Sequence, residues 1–162
     1  MTYVLAIDPG LRATGYAYFC DGVLVRAGLK RTKLTERADA AAYIGREFAV
    51  EFLKPIDALV VEVPQVYQPR LMKGDPNDLV SVALVAGCVL QLPARVRRAV
   101  SPHQWKGNTP KEVSHTRLLL KLQPVERDVL QSADVPPSLL HNVFDAVGIG
   151  KWFIKHSAKG EW

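Results

Sequence analysis

The stretch from Tyr3 to Phe19, YVLAIDPGLRATGYAYF, limits the possible folds of this chain more than any other. Five apolar or aromatic residues, Tyr3 to Ile7, run unbroken into Asp8, and Pro9-Gly10 ends the run. An apolar run closed by a Pro-Gly break reads as a central strand covered on both faces. An ionised carboxylate is costly in such a place unless a cation or strong donors meet it. Asp8 therefore calls for a chemical reason.

The chain after it reads as layers around that strand. Ala13 to Phe19 suits a second strand, Asp21-Gly22 a tight hairpin turn, and Val23 to Leu29 a third strand, which together make an antiparallel meander. Lys30, Arg31 and Lys33 follow as a polar loop. Thr35 precedes a helix that ends before Pro55, with Ala41, Ile44, Phe48 and Phe52 recurring at helical spacing toward a core. Asp57 to Val63 then repeats the grammar of the first strand: Ala58 to Val61 unbroken, then Glu62, with Pro64 beyond. If the two strands lie parallel and adjacent, with the helix as crossover, Asp8 and Glu62 emerge near one edge of the sheet. Two carboxylates that close repel unless a divalent cation sits between them.

Gln65 to Pro76 is a loop containing Tyr67, Arg70 and Lys73. The helix expected from Asn77 to Leu92 has almost no charged face, so it is either buried or shared with a partner subunit. Arg95 to Val100 reads as a short strand carrying Arg97 and Arg98. The loop Ser101 to Pro110 holds Trp105, taken as a packing anchor, and Lys106. A helix from Lys111 to Leu122 is basic on one side through Lys111, His115 and Lys121. The last helix, Leu139 to Lys155, packs through Leu140, Val143, Phe144 and Val147. Asp145 interrupts that stripe, and His141 and Asn142 lie beside the same turn.

Three acids in apolar settings, on two strands and a late helix, suit a hard ion such as Mg²⁺ or Mn²⁺. Facing one pocket, they could hold two ions about 3.5–4 Å apart across a phosphodiester, one activating water and the other stabilising the departing 3′ oxygen. Taken singly, each acid has a plainer reading: a turn residue at Asp8, a solvated strand end at Glu62, a partner for Lys151 at Asp145. A net charge of +5 over 162 residues leans toward a polyanionic partner. Length and composition fit one soluble domain over residues 1–162. Cys20 and Cys88 fit reduced core thiols, and no run is apolar enough to span a bilayer. With no secretory leader legible, a cytoplasmic, nucleoid-associated protein of a bacterial or phage-infected cell is expected.

On these motifs the sequence resembles the RuvC-type Holliday junction resolvases. AIDPGLRATGYAYF looks like their first motif, VVEVPQVY like their second acid motif, and HNVFDAVGIG like their C-terminal motif; Ser101 to Glu112 and the compact size resemble the phage or prophage branch. The resemblance implies an α/β, ribonuclease H-like fold with a mixed five-stranded sheet flanked by helices. It implies a Mg²⁺-dependent endonuclease, with Mn²⁺ as a substitute and two ions per site, that nicks four-way or branched DNA symmetrically as a homodimer. Asp8, Glu62 and Asp145 become metal-binding catalytic acids. The family carries Asp or His three residues before the last acid; Asn142 stands there with His141 one step earlier, and either would supply the fourth ligand. Lys106 or Lys111 would steady the scissile phosphate. Tyr67 matches the aromatic that inserts near the junction centre, and Arg70, Lys73, Arg97 and Arg98 join the two lysines as DNA contacts. The competing readings are an RNase H-like nuclease acting on RNA or hybrids, similar to the YqgF relatives, and a branched-DNA-binding module with a decayed site.

Overall fold

The computed structural model describes residues 1–53, 56–66 and 75–160, and the backbone alone of Lys111. Strands β1 (Tyr3–Asp8), β2 (Ala13–Cys20) and β3 (Val23–Arg31) form the expected antiparallel meander. Its second turn is the two-residue link Asp21-Gly22, with φ of +48° and +82°. Positive φ at both positions matches the twist of a right-handed hairpin. Helix α1 (Arg37–Glu51) crosses over to β4 (Ile56–Glu62), which lies parallel to β1. Helix α2 (Pro76–Val89) leads to β5 (Ala94–Val100), parallel to β4. The strand order β3-β2-β1-β4-β5 makes a mixed five-stranded sheet.

Alternation along the strands divides the core in two. Leu5, Ile7, Leu59 and Val61 face α1 and α2, where Ile44, Phe48, Val85 and Val89 meet them. Val4, Ala6, Ala58 and Val60 face the opposite way, onto Val143, Ala146, Val147 and Ile149 of α6 (Leu140–Ser157). Between β5 and α6 the chain forms α3 (Pro102–Lys106), α4 (Lys111–Lys121) and α5 (Pro124–Ser132), all on the α6 side. A side chain's parity along β1 or β4 thus decides which helical layer it meets. Asp8 and Glu62 share the parity of Ala6 and Val60, and so belong to the α6 layer.

Helix α2 is neither fully buried nor fully exposed. Val85, Ala86 and Val89 enter the core, whereas Val80 and Leu84 stand 53% and 40% exposed on the far side. Cys20 and Cys88 are half-buried free thiols. Among the described residues no helix is long and apolar enough to cross a membrane.

Three local expectations are corrected. Lys30 and Arg31 belong to β3 rather than to a loop, and Lys30 and Arg26 both pair with Glu51 of α1. The segment after Ser101 is not wholly loop: α3 starts there, with the Ser101 N–H donating to the Gln104 side chain at 2.7 Å. Helix α5 was not anticipated. It is held by Glu126, fully buried, whose carboxylate accepts from the Leu24 N–H at 2.8 Å and the Gln123 N–H at 3.0 Å and pairs with Lys151 of α6.

Burial alone would push the Glu126 carboxyl up. The bonds from Lys151, Leu24 and Gln123 outweigh it and hold the group below its usual range. Because the folded value is depressed, the stabilisation is complete above the ordinary carboxylate range and is lost as pH falls through the lowered value. Glu126→Ala leaves Lys151 and the Leu24 N–H without this acceptor, so it is expected to cost about 3–5 kcal/mol in urea unfolding. The acid limb of the variant's stability curve should also be shallower.

Candidate active site

The pairing of β1 with β4 runs from Val4 opposite Ala58 to Ile7 opposite Val61. One step further in the same register lie Asp8 and Glu62, the last residues of their strands. Adjacent strands run about 4.8 Å apart, so two carboxylates leave neighbouring backbones on one face of the sheet. This is also where the topology reverses: β2 and β3 extend to one side of β1, β4 and β5 to the other. In open α/β sheets the crevice at such a switch point, beyond the carboxyl ends of the strands, is where ligands bind.

Helix α6 closes the crevice from above, and two glycines set its height. A Cβ on Gly15, the β2 residue opposite Asp8, would lie 2.1 Å from the Asn142 carbonyl oxygen. The first turn of α6 therefore rests directly on the sheet beside Asp8. The Asn142 side chain reaches down to the Ala13 carbonyl, its Nδ2 donating at 3.4 Å. His141 shares that first turn. One turn on, Asp145 is 4% exposed and meets Nε2 of His115 from α4 at 2.9 Å. The His115 ring in turn packs on Phe144, with centroids 5.1 Å apart.

The second glycine, Gly148, lies one turn after Asp145. A Cβ there would approach the Trp105 ring to 2.6 Å. Trp105 is thus wedged under α6, and its indole N–H donates to Oε2 of Glu62. The Lys106 ammonium lies 4.0 Å from the same oxygen and 4.7 Å from the centre of the Trp105 ring. The link is short because β5 ends level with Glu62, Val100 pairing with it, and α3 begins at once. Trp105 does anchor packing, as expected, but it also grips an acid, which the sequence reading missed. His115 was read only as part of a basic face. Its helical spacing to Leu118 and to Leu122, which is buried in the core, puts it on the inward stripe of α4.

By type the donors fit a hard divalent ion: the carboxylates that end β1 and β4 and the one on α6 offer oxygen. As the side chains stand, the described residues contain no group of three His, Cys, Asp or Glu spaced to hold a metal. Glu62 is turned to Trp105 and Lys106, and Asp145 to His115. Ligation would exchange these partners.

The other expected site residues are spread more widely. Lys111 is the first residue of α4. Arg98 sits opposite Val60, two residues short of Glu62, on the α6 side of the sheet. Arg97 is not brought to the acids; its guanidinium holds the Leu92 carbonyl at 3.1 Å, at the opposite end of β5. Tyr67, Arg70 and Lys73 lie outside the described residues.

No protein-family model matches the sequence, and no curated protein matches it. Solved structures do. The chain superposes on Thermus thermophilus RuvC in complex with a Holliday junction substrate with a TM-score of 0.65, covering 99% of this chain and 97% of that one at 20% identity. The chain has the RuvC fold. A second Thermus thermophilus RuvC structure matches with a TM-score of 0.62, also at 20% identity, covering 98% of this chain and 97% of that one. The RuvC likeness bears out the expected ribonuclease H-like architecture, a mixed five-stranded sheet flanked by helices. It extends over nearly the whole chain.

Proposed function

We propose that the protein is a divalent-metal-dependent endonuclease that cuts four-way or branched DNA by paired nicks as a homodimer. The observation that supports this reading is the register of β1 and β4, which ends both strands in a carboxylate, Asp8 and Glu62, at the switch point of the sheet. Asp8, Glu62 and Asp145 would hold the Mg²⁺ or Mn²⁺ ions. Asn142, through its amide oxygen, or His141 would supply the fourth ligand. Bound there, the ions would lower the pKa of the attacking water and neutralise charge on the departing 3′ oxygen.

The chain's own groups do the positioning. Trp105 orients Glu62, and His115 orients Asp145. Lys106 stands next to Glu62, where it would steady the scissile phosphate together with Lys111. Tyr67 would stack on an unpaired base near the branch point, a contact worth roughly 1–3 kcal/mol. Arg70, Lys73 and Arg98 would add phosphate contacts. The exposed Val80 and Leu84 face of α2 is the surface through which two copies would pair. The structural likeness to a RuvC in complex with a Holliday junction substrate supports the choice of a branched substrate.

The deciding experiment sets a labelled four-way junction, a Y-fork, a linear duplex and an RNA–DNA hybrid side by side, with and without Mg²⁺. Paired nicks in the junction only with the metal are expected. Preferential cleavage of the hybrid would replace this reading with that of an RNA-directed nuclease. Junction binding without cleavage in either Mg²⁺ or Mn²⁺ would leave a binding module.

A further inference from the structure

Beyond Trp105 and Lys106 a groove of about 350 Å³ opens between α4 and the second half of α6. Arg117 and Lys121 of α4 form one wall, Lys151 and Lys155 of α6 the other, and Trp105 and Lys106 lie at the end nearest Glu62. Among the described residues that line it there is no Asp or Glu. The five cations are not equivalent. Lys151 is committed to Glu126 and donates to the Gly22 carbonyl at 3.1 Å, and Lys106 leans toward Glu62. Arg117, Lys121 and Lys155 are exposed and supply the field of the open part of the groove.

Like charges along a groove repel, and a fold tolerates them where their partner comes from outside. Groove and crevice share Trp105 and Lys106, so a polyanion lying in one continues into the other. From Gly148, where Trp105 is seated, to Lys155 is seven residues of helix, about 10 Å of rise. That is the axial rise of about three nucleotides of one strand. We propose that this groove is the exit track of the cleaved DNA strand, and that Arg117, Lys121 and Lys155 hold two or three phosphates on one side of the nick. The assignment rests on the nuclease reading above and deepens it, giving the strand a direction: from Asp8 past Glu62 and Lys106, then along α6 toward its C-terminus.

The test measures binding, not cleavage. The triple variant Arg117→Gln, Lys121→Gln, Lys155→Gln changes only exposed side chains, and its thermal midpoint should match that of the parent. Each phosphate contact contributes about 0.7–0.9 to the slope of log affinity against log salt. Titrating both proteins with a fluorescent four-way junction across a KCl series without divalent metal should give a slope shallower by about two in the variant. Affinity near 100 mM salt should fall roughly tenfold or more. A parent that binds the junction and a variant with an unchanged slope overturn the track and leave the nuclease reading standing. A parent that binds no junction at any salt overturns both. Direction is read separately: a photo-crosslinker at Ser114, another residue of the groove wall, should capture nucleotides two to three from the nick on one side only. Capture equally on both sides contradicts the track.

Discussion

Asp8→Asn is expected to lower metal-dependent junction cleavage at least about a thousandfold while leaving the protein as stable as the parent, or more so. The two effects come from one cause. Asp8 ends β1 one register step beyond Ile7 and Val61, so its charge faces that of Glu62 across a strand spacing. Removing a charge that would hold the ions should forfeit several kcal/mol of transition-state stabilisation, and each 1.36 kcal/mol is tenfold in rate. With no ion bound, the same change relieves the repulsion between Asp8 and Glu62, and the amide keeps a hydrogen-bonding oxygen in the same place. A residue kept for packing gives the reverse pattern, with stability lost and activity following it. Thermal unfolding without divalent metal, run beside cleavage kinetics with it, separates the two.

Gly15→Val should damage the fold severely, at about 3 kcal/mol or more. On propensity alone valine suits a strand interior better than glycine does, so intrinsic preference argues for the substitution. Its Cβ, however, would lie 2.1 Å from the Asn142 carbonyl oxygen and 3.1 Å from the Val143 nitrogen, both backbone atoms that no rotamer change can move aside. Helix α6 must lift, and with it Val143, Ala146 and Val147 leave their seats on the sheet. Urea unfolding reads the loss. Whatever fraction stays folded should cleave poorly, because Asp145 rises away from Asp8 and Glu62.

The strands that carry the acids were legible because their signal is local. Tyr3 to Ile7 and Ala58 to Val61 are unbroken apolar runs, each ending in a carboxylate, and the helix between them announced a parallel crossover. Asp145 was legible as a charge within an apolar stripe. Helix α5 escaped because its inward anchor is a charge: Glu126 points at Leu24 and Lys151, residues 102 and 25 positions away, and hydrophobic periodicity assigns such a residue to solvent. His115 escaped for the same reason, as a polar side chain on an apolar stripe whose partner, Asp145, is 30 residues on. Lys30 was placed in a loop because its neighbours are basic; its partner, Glu51, lies on a different element. Apolar spacing can be read along a chain, but the partner of a buried charge is settled only by the fold.

The claim underlying the whole account is that Asp8, Glu62 and Asp145 turn their oxygens toward a common cation once the contacts of Glu62 with Trp105 and of Asp145 with His115 yield. Crystals soaked in Mn²⁺ and measured for anomalous scattering test it directly. Density within coordination distance of all three carboxylates, absent in Asp8→Asn crystals soaked in the same way, is the expected result. Mn²⁺ bound elsewhere, with Glu62 still on Trp105 and Asp145 still on His115, would contradict it.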